Sequence, residues 1–452
     1  MKKNERLLVI ALVASITLTT FSCDGDTLDI SALSNESQLT PFSVAGNIIK
    51  GDFFGEGDAA FQQEANEVLA ELLRKITTDD EKHRYVKKYP DFYGGAYITD
   101  QGRLVVFIHG DFEGGVQQVK NYVNDRGITD YVSCMYSFQE LTDIMNNMND
   151  RFETLPKEIK QNIVMYYIKD DQNKVIVSLR NNTLGIISDF QKKVISHPAI
   201  EYINGNNYVA NHTRNQQKQG WFNLDSLLVH VKPGGGFFIF KNSIVYNASW
   251  AFRARMINNS SVKGMVTASH VLRMNDSVYI RGNYAGHNNG DVYNYEADAA
   301  FVRVGYADST YNSFYGPIIF HLLGPLYSLD NELYQWGDTV PDELLSTETS
   351  VPGVGTVINK RGAITYRTTG VVLSTNYSGY IYNANNDSIY VSNRMSASMT
   401  SNQGDSGGII YTYISSTNTR YTVGVLNGNK GTNLTVFTKA DVALNSLGLE
   451  RY

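Results

Sequence analysis

The segment Gly404-Asp405-Ser406-Gly407-Gly408 sets one hydroxyl among three glycines. A serine nucleophile needs a base to take its proton and backbone N–H groups aimed at the oxyanion it creates. Glycine beside it lets the main chain approach a scissile carbonyl with no Cβ in the way. The plain alternative is a Gly-Asp turn joining two strands. The segment also fits G-x-S-x-G, a strand-to-helix turn in which an acid and a histidine follow the serine in chain order. No histidine follows His321, and strand-helix alternation is missing, so that arrangement is excluded.

The base must therefore lie upstream. Of eight histidines, His83, His109, His197, His212 and His230 precede Gly234, where the texture of the sequence changes. His270 closes Val266-Thr267-Ala268-Ser269, so a strand end would hold it. His287 sits in Gly286-His287-Asn288-Asn289-Gly290, which reads as a surface loop, and His321 follows an apolar run. An imidazole base also needs a buried carboxylate to fix its tautomer. Asp298 leads into the apolar strand Ala299-Ala300-Phe301-Val302, whereas Asp291 and Asp308 stand in polar, turn-like surroundings. His270, Asp298 and Ser406 are each a weak signal alone. In this order they form a permitted catalytic set.

Two kinds of architecture must carry these residues. Asp58 is placed to cap a helix with Phe61, Ala65, Val68, Leu69, Leu72 and Leu73 on one face. A hairpin follows, Gly95–Ile98 and Leu104–Ile108 about a turn at Asp100-Gln101-Gly102, then a helix around Val116–Val123. The order returns: Ile163–Ile168, a turn at 170–173, Val175–Leu179, and a helix around Ile186–Ile195. Two copies are too few for a solenoid, so the pattern predicts a duplicated α+β unit. From Gly234 on, short apolar runs between Gly, Asn and Asp turns predict an all-β domain, a sandwich or barrel. One helix is expected at the end, opened by Asp441 and stopped by Gly448.

At 452 residues the chain has room for about three folding units. With 42% apolar and 19% charged residues it is globular, and a net charge of −6 gives no electrostatic case for nucleic acid. Two cysteines exclude a disulfide scaffold and a four-thiolate zinc site, so no metal and no cofactor are expected. Lys2, Lys3 and Arg6 followed by the apolar stretch Leu7–Leu18 predict a signal peptide; the run is too short for a membrane span. It ends at Ser22-Cys23, which resembles a relaxed bacterial lipobox, implying that Cys23 is lipidated. Ten acidic residues and one basic residue lie between Asp24 and Glu71, as a solvated tether would have.

At Val266–His270, Asp298–Ala300 and Gly404–Gly408 the chain resembles the chymotrypsin-like serine proteases, most closely the bacterial α-lytic protease and streptogrisin group. Pro233-Gly234-Gly235-Gly236, the block Gly355–Gly370 and Val423–Gly428 extend the likeness, and the N-terminal halves resemble that group's pro-region. The resemblance implies two six-stranded antiparallel β-barrels with the site at their junction. It makes His270 the base, Asp298 its orienter and Ser406 the nucleophile, with the N–H groups of Gly404 and Ser406 as the oxyanion hole. Thr400, Ser401, Asn427 and Gly428 fall at the substrate pocket. With no acid at Thr400 or Ser401, small or medium apolar side chains are expected before the cut bond.

The implied organisation is a signal peptide over 1–22, a tether over 23–54, a pro-region over 55–232 and a protease domain over 233–452. The partners are a protein or peptide substrate, the chain's own pro-region as inhibitor and folding aid, and a membrane through the lipid; nucleic acid is not one. The precursor would sit lipid-anchored in a bacterial cell envelope. A cut near Val231–Gly236 would leave the lipid on the pro-segment and let the protease go. Departures are also visible. Ala248, Val271, Asn359 and Leu373 stand where relatives carry cysteines, Lys360 replaces an arginine, and Asn427 a serine. A non-catalytic scaffold on the same fold, or an esterase, are the competing functions.

Overall fold

The computed structural model describes residues 56–83, 85–205, 228–241, 244–272, 274–280, 283–294, 297–305, 326–334, 343–382, 388–430 and 433–452. The expected leader and Cys23 lie outside them, as do His212, Asp308 and His321.

Helix α1 (Gln63–Ile76) buries Ala65, Val68, Leu69 and Leu72, one face at helical spacing. That face meets the hairpin β1 (Tyr93–Ile98) and β2 (Leu104–His109). Asp111 caps α2 (Phe112–Tyr122) by accepting from the Gly114 N–H at 3.2 Å. The helix carries the chain back so that β3 (Thr129–Cys134) lies parallel to β2. The same order then repeats. A Ser137/Glu140 capping box opens α3 (Phe138–Arg151). The strands β4 (Ile163–Lys169) and β5 (Lys174–Leu179) form a hairpin, turned at Asn173 in the left-handed region with φ 51°. Next come α4 (Leu184–Lys193) and β6 (Ile200–Asn204), again parallel to the strand before the helix. Neither unit can cover its sheet alone, and the two share one apolar core that includes Leu72, Ile108, Leu141 and Val177.

The duplicated α+β reading holds, with one correction. Asp58 does not cap α1, whose first residue follows Gln62 with no side-chain cap. Its carboxylate instead accepts from Ala60 N at 2.8 Å and from Ser415 N at 3.0 Å, and Phe61 is exposed. A contact with a residue 357 positions away outweighs the local capping preference.

Beyond residue 228 strands dominate. The first group is β7 (Leu228–Val231), β8 (Gly236–Lys241), β9 (Ile244–Ser249), β10 (Phe252–Met256) and β11 (Asn259–Thr267). It continues with β12 (Ser277–Ile280), β13 (Asn283–Tyr293), β14 (Asp298–Val304) and β15 (Leu326–Leu329). The second group is β16 (Val357–Gly362), β17 (Tyr366–Tyr382), β18 (Ser388–Ala397), β19 (Ile409–Ile414), β20 (Thr419–Lys430) and β21 (Leu434–Lys439). Helix α5 (Ala440–Leu447) ends at Gly448 (φ 65°), and β22 (Leu449–Glu450) closes the chain. Asp441 lies in the first turn of α5; the cap position is Lys439.

The first sheet runs β9-β8-β12-β13-β14-β11-β10-β22. It has eight strands, with the β8–β9 hairpin at one end and the terminal β22 at the other. His287 belongs to this sheet, inside β13 opposite Ser277 and Arg303, and not to a loop. Pairing on both sides makes a strand of a run whose own residues favour a turn. β7 pairs in parallel with β15, and Val229 and Val231 pack with Phe237, Trp250 and Val278. Residues ahead of the expected boundary at 233 thus already share the core of the β-domain.

The second sheet runs β16-β19-β20-β21-β18-β17-β4-β5-β6, and β16 also pairs with β17. Six strands of the β-domain therefore form a ring of pairings, and the second α+β unit adds three more at β17. Tyr377, Ser378 and Gly379 face Tyr167, Tyr166 and Met165 across that junction. Gly379 is required there, since a Cβ would stand 2.8 Å from Met165 Cβ. A second junction lies at the N-terminal end. Asn359 and the Gly57 main chain exchange hydrogen bonds of 2.8 and 2.7 Å, and Arg420 grips Glu56 through two nitrogens at 2.9 and 2.7 Å.

Candidate active site

β11 ends at Thr267, and the helical turn Ser269–Val271 presents His270 just beyond it. β14, its antiparallel neighbour, begins with Asp298, so the sheet register brings the two together. Asp298 Oδ1 accepts the His270 backbone N–H at 2.8 Å, and Oδ2 lies 2.7 Å from the ring Nδ1. Both side chains are buried, at 5% and 1% exposure. Burial alone would push the Asp298 carboxyl up. The facing His270 ring, its hydrogen bonds and the nearby Arg394 guanidinium outweigh that and hold it below the usual carboxylate range. An ionised carboxylate on Nδ1 leaves Nε2 as the ring's free base.

Ser406 lies on the loop between β18 and β19. Ser249 N–H donates to its carbonyl at 2.9 Å, and Gly407 N–H donates to Leu426 O at 2.7 Å. Gly407 has φ +84°, and a Cβ there would overlap Thr267 Oγ1 and stand 2.9 Å from the Ala268 nitrogen. Only glycine permits this approach, which seats the serine loop on the residues leading into the His270 turn. Among the described residues the Ser406 hydroxyl makes no hydrogen bond to His270. Such bonds are often long before a substrate is bound. The N–H groups of Gly404 and Ser406 meet no acceptor among the described residues, while the Gly404 carbonyl is turned back onto Ser249 Oγ at 2.8 Å. Two free donors flanking Asp405 are what an oxyanion would require.

Asp405 fixes this loop from inside. It is fully buried and accepts from Ile364 N, Thr365 N, Thr365 Oγ1 and Asn402 N at 2.9, 3.0, 2.5 and 2.9 Å. Lys360 Nζ lies 3.2 Å away. Burial would raise the carboxyl, but Lys360 and these donors hold it below its ordinary value. The lysine that replaces an arginine thus still makes an ion pair with the carboxylate beside the serine.

Thr400 is exposed and gives its carbonyl to Thr368 Oγ1 at 2.7 Å. Ser401 is buried, its hydroxyl 3.0 Å from Thr435 Oγ1. Gly428 keeps open space where a side chain would be, with Ile381 3.9 Å from an added Cβ. Asn427 has a buried amide that donates to the Asp298 carbonyl at 3.0 Å and accepts from Thr438 Oγ1 at 2.7 Å, so it braces the carboxylate strand.

Ser249 was missed by sequence reasoning. Its N–H holds Ser406, its carbonyl accepts from Thr267 Oγ1 at 2.8 Å, and its hydroxyl links Ala363 N to Gly404 O. Its one sequence signal is its place directly after Ala248.

Two family models match the chain ahead of the β-domain: a Pro-like N-terminal domain over residues 54–129 and a Pro-like C-terminal domain over 139–205. They divide at the boundary between the two α+β units. The chain resembles a chymotrypsin-like serine protease with its pro-region. Among solved structures, Thermobifida fusca protease A is 19% identical, with 49% of this chain and 98% of that one covered at a TM-score of 0.37. Nocardiopsis protease gives 21%, 49%, 99% and 0.37, and Cellulomonas bogoriensis chymotrypsin 19%, 50%, 99% and 0.36. No curated protein matches the chain.

Proposed function

We propose that the chain is the lipid-anchored zymogen of a serine endopeptidase, and that its α+β part is an inhibitory pro-region and folding aid. The observation that carries this reading is the buried 2.7 Å contact between His270 and Asp298, with the Ser406 loop seated on the residues that lead into the His270 turn. In the proposed reaction Ser406 Oγ attacks the peptide carbonyl as His270 Nε2 takes its proton. The N–H groups of Gly404 and Ser406 receive the oxyanion. The tetrahedral intermediate expels the amine, which takes the proton from His270, and leaves an acyl-enzyme. Water, deprotonated by His270, then releases the acid and restores Ser406.

Thr400 and Ser401 themselves carry no carboxylate to meet a basic residue, which supports a preference for small or medium apolar side chains. Val229 and Val231 are packed in the β-domain core, so we assign Leu228–Val231 to the mature enzyme and not, as the sequence boundary had it, to the pro-region. Cys23 would then keep the lipid on the pro-segment, making the membrane form latent and processing the step that frees protease. Mass measurement of membrane and medium fractions tests this; active enzyme found only as full-length chain would overturn it. A fluorophosphonate probe tests the chemistry: it should label the processed wild type and not Ser406→Ala, and an unlabelled, correctly processed wild type would favour a non-catalytic scaffold.

A further inference from the structure

Hydrogen bonds and one backbone step, Thr438–Lys439, join the pro-region to the His270–Asp298 pair. The path begins at Tyr85, which docks on the β-domain by two groups. Its hydroxyl accepts from Ser446 Oγ at 3.0 Å and its carbonyl from Asn393 Nδ2 at 3.2 Å. Asn393 is in the left-handed region at φ 52°, a conformation that asparagine tolerates and that fixes where its amide points. The other end of that amide, Oδ1, accepts from Lys439 Nζ at 3.2 Å. Lys439 is the last residue of β21, directly after Thr438. Thr438 Oγ1 donates to Asn427 Oδ1, Asn427 Nδ2 donates to the Asp298 carbonyl, and Asp298 holds His270.

We propose that Asn393 and Lys439 are positioning residues through which the docked pro-region braces the Asp298 strand. The proposal rests on the protease reading above. Its physical content is the end of β21, pinned on one side by the pro-region and on the other by the support of Asp298. Without Tyr85 the Asn393 amide loses its acceptor, and Lys439 loses a partner held in a fixed orientation. The charged groups around Lys439 are Asp441 and Asp170, which favour its charge, and Arg394, which opposes it; burial pushes the ammonium down. Lys439 therefore depends on neutral partners such as Asn393 more than an exposed lysine would. The pro-region accordingly acts on the triad at a distance, in addition to any part of it that occupies the cleft.

The test uses the full chain carrying Ser406→Ala, so that nothing is cut, and reads the His270 ring pKa by NMR. Asn393→Gly keeps the backbone conformation and deletes the amide, and Thr438→Val removes the bond to Asn427. Each should lower the His270 pKa by about half a unit, roughly a threefold change in proton affinity, because a loosened carboxylate supports the imidazolium less. The double variant should fall no further than the larger single change, as links of one path do. Should Asn393→Gly fail to fold, Lys439→Met reads the same link. A His270 pKa that stays within about a tenth of a unit in these variants, yet moves with Asp298→Asn, overturns the coupling. So do shifts that simply add. Probe labelling of the wild-type chain is run alongside: labelled enzyme with an unmoved His270 sinks the coupling alone, whereas processed but unlabelled wild type sinks the protease reading with it.

Discussion

Lys360 and Asp405 face each other at 3.2 Å, both side chains without solvent exposure, one residue before the candidate nucleophile. The pair is complete in the unprocessed chain, so the loop bearing the Gly404 and Ser406 N–H groups is held by an internal cation. Removing one partner leaves the other charge buried. Lys360→Met should cost about 3–5 kcal/mol in a denaturant melt of the full chain and abolish probe labelling. A melt within about 1 kcal/mol of wild type would show that water reaches Asp405 and that the pair does not fix the loop.

Acid should act through the same carboxylates. Asp405 and Asp298 are both held below the ordinary value of 3.8 in the folded chain. Their contribution is therefore present in full above the unfolded value, near pH 4, and is lost as pH falls through the lower folded values. Denaturation midpoints measured downward from pH 5 should drop for the wild type and drop less steeply for Asp405→Asn. Parallel curves would refute the assignment.

Asp170 predicts the opposite slope. It sits at the β4–β5 turn with Oδ2 lacking a hydrogen bond, and burial, then Asp171, pushes its pKa up to about 8, with Lys439 pulling the other way. Nearby Tyr89 and Tyr93 sense its charge. A raised folded value means stability that is whole below pH 4 and is lost as pH rises through about 8. Asp170→Asn should therefore stabilise the full chain at pH 8 by on the order of 1–3 kcal/mol, with little effect near pH 3.5. Equal effects at the two pH values would count against a buried, neutral Asp170.

The imidazole needs a carboxylate and not merely a hydrogen-bond acceptor. Asp298→Asn preserves shape but presents a donor to Nδ1 or forces the wrong tautomer, and should lower peptide turnover by about ten-thousand-fold with folding intact. A loss below about tenfold would mean that His270 is not the base.

At the shared sheet, Gly379→Ala forces Met165 aside by the approach of one Cβ. Amide exchange of residues 163–169 in the Ser406→Ala precursor should quicken. Exchange unchanged there would mean that the junction absorbs the methyl group without opening.

Much of the candidate site was legible because the proposed catalysis restricts residue type. A hydroxyl amid glycines, an imidazole at a strand end and an acid leading an apolar strand can be read without coordinates, and so can the two hairpin-and-helix repeats from their apolar runs, though β3, α3 and β6 were not read. What escaped were small polar residues whose roles depend on distant partners. Ser249 meets Gly404 across 155 positions, and Asn427 meets Asp298 across 129. Nothing local distinguishes them from surface residues. Asp58 misled for the same reason, since its carboxylate answers to Ser415 before the helix beside it. The polar run around His287 misled because strand pairing on both flanks overrode its turn chemistry.

Strand β4, laid against β17 at Tyr377–Gly379, does more than hold two parts together. If the parts separate, that stretch is left with a bare row of N–H and C=O groups, and such rims recruit whatever extended chain is nearby. A newly freed molecule would be adhesive at this rim until something covered it, and colloidal behaviour after maturation would follow from the way the precursor was stitched.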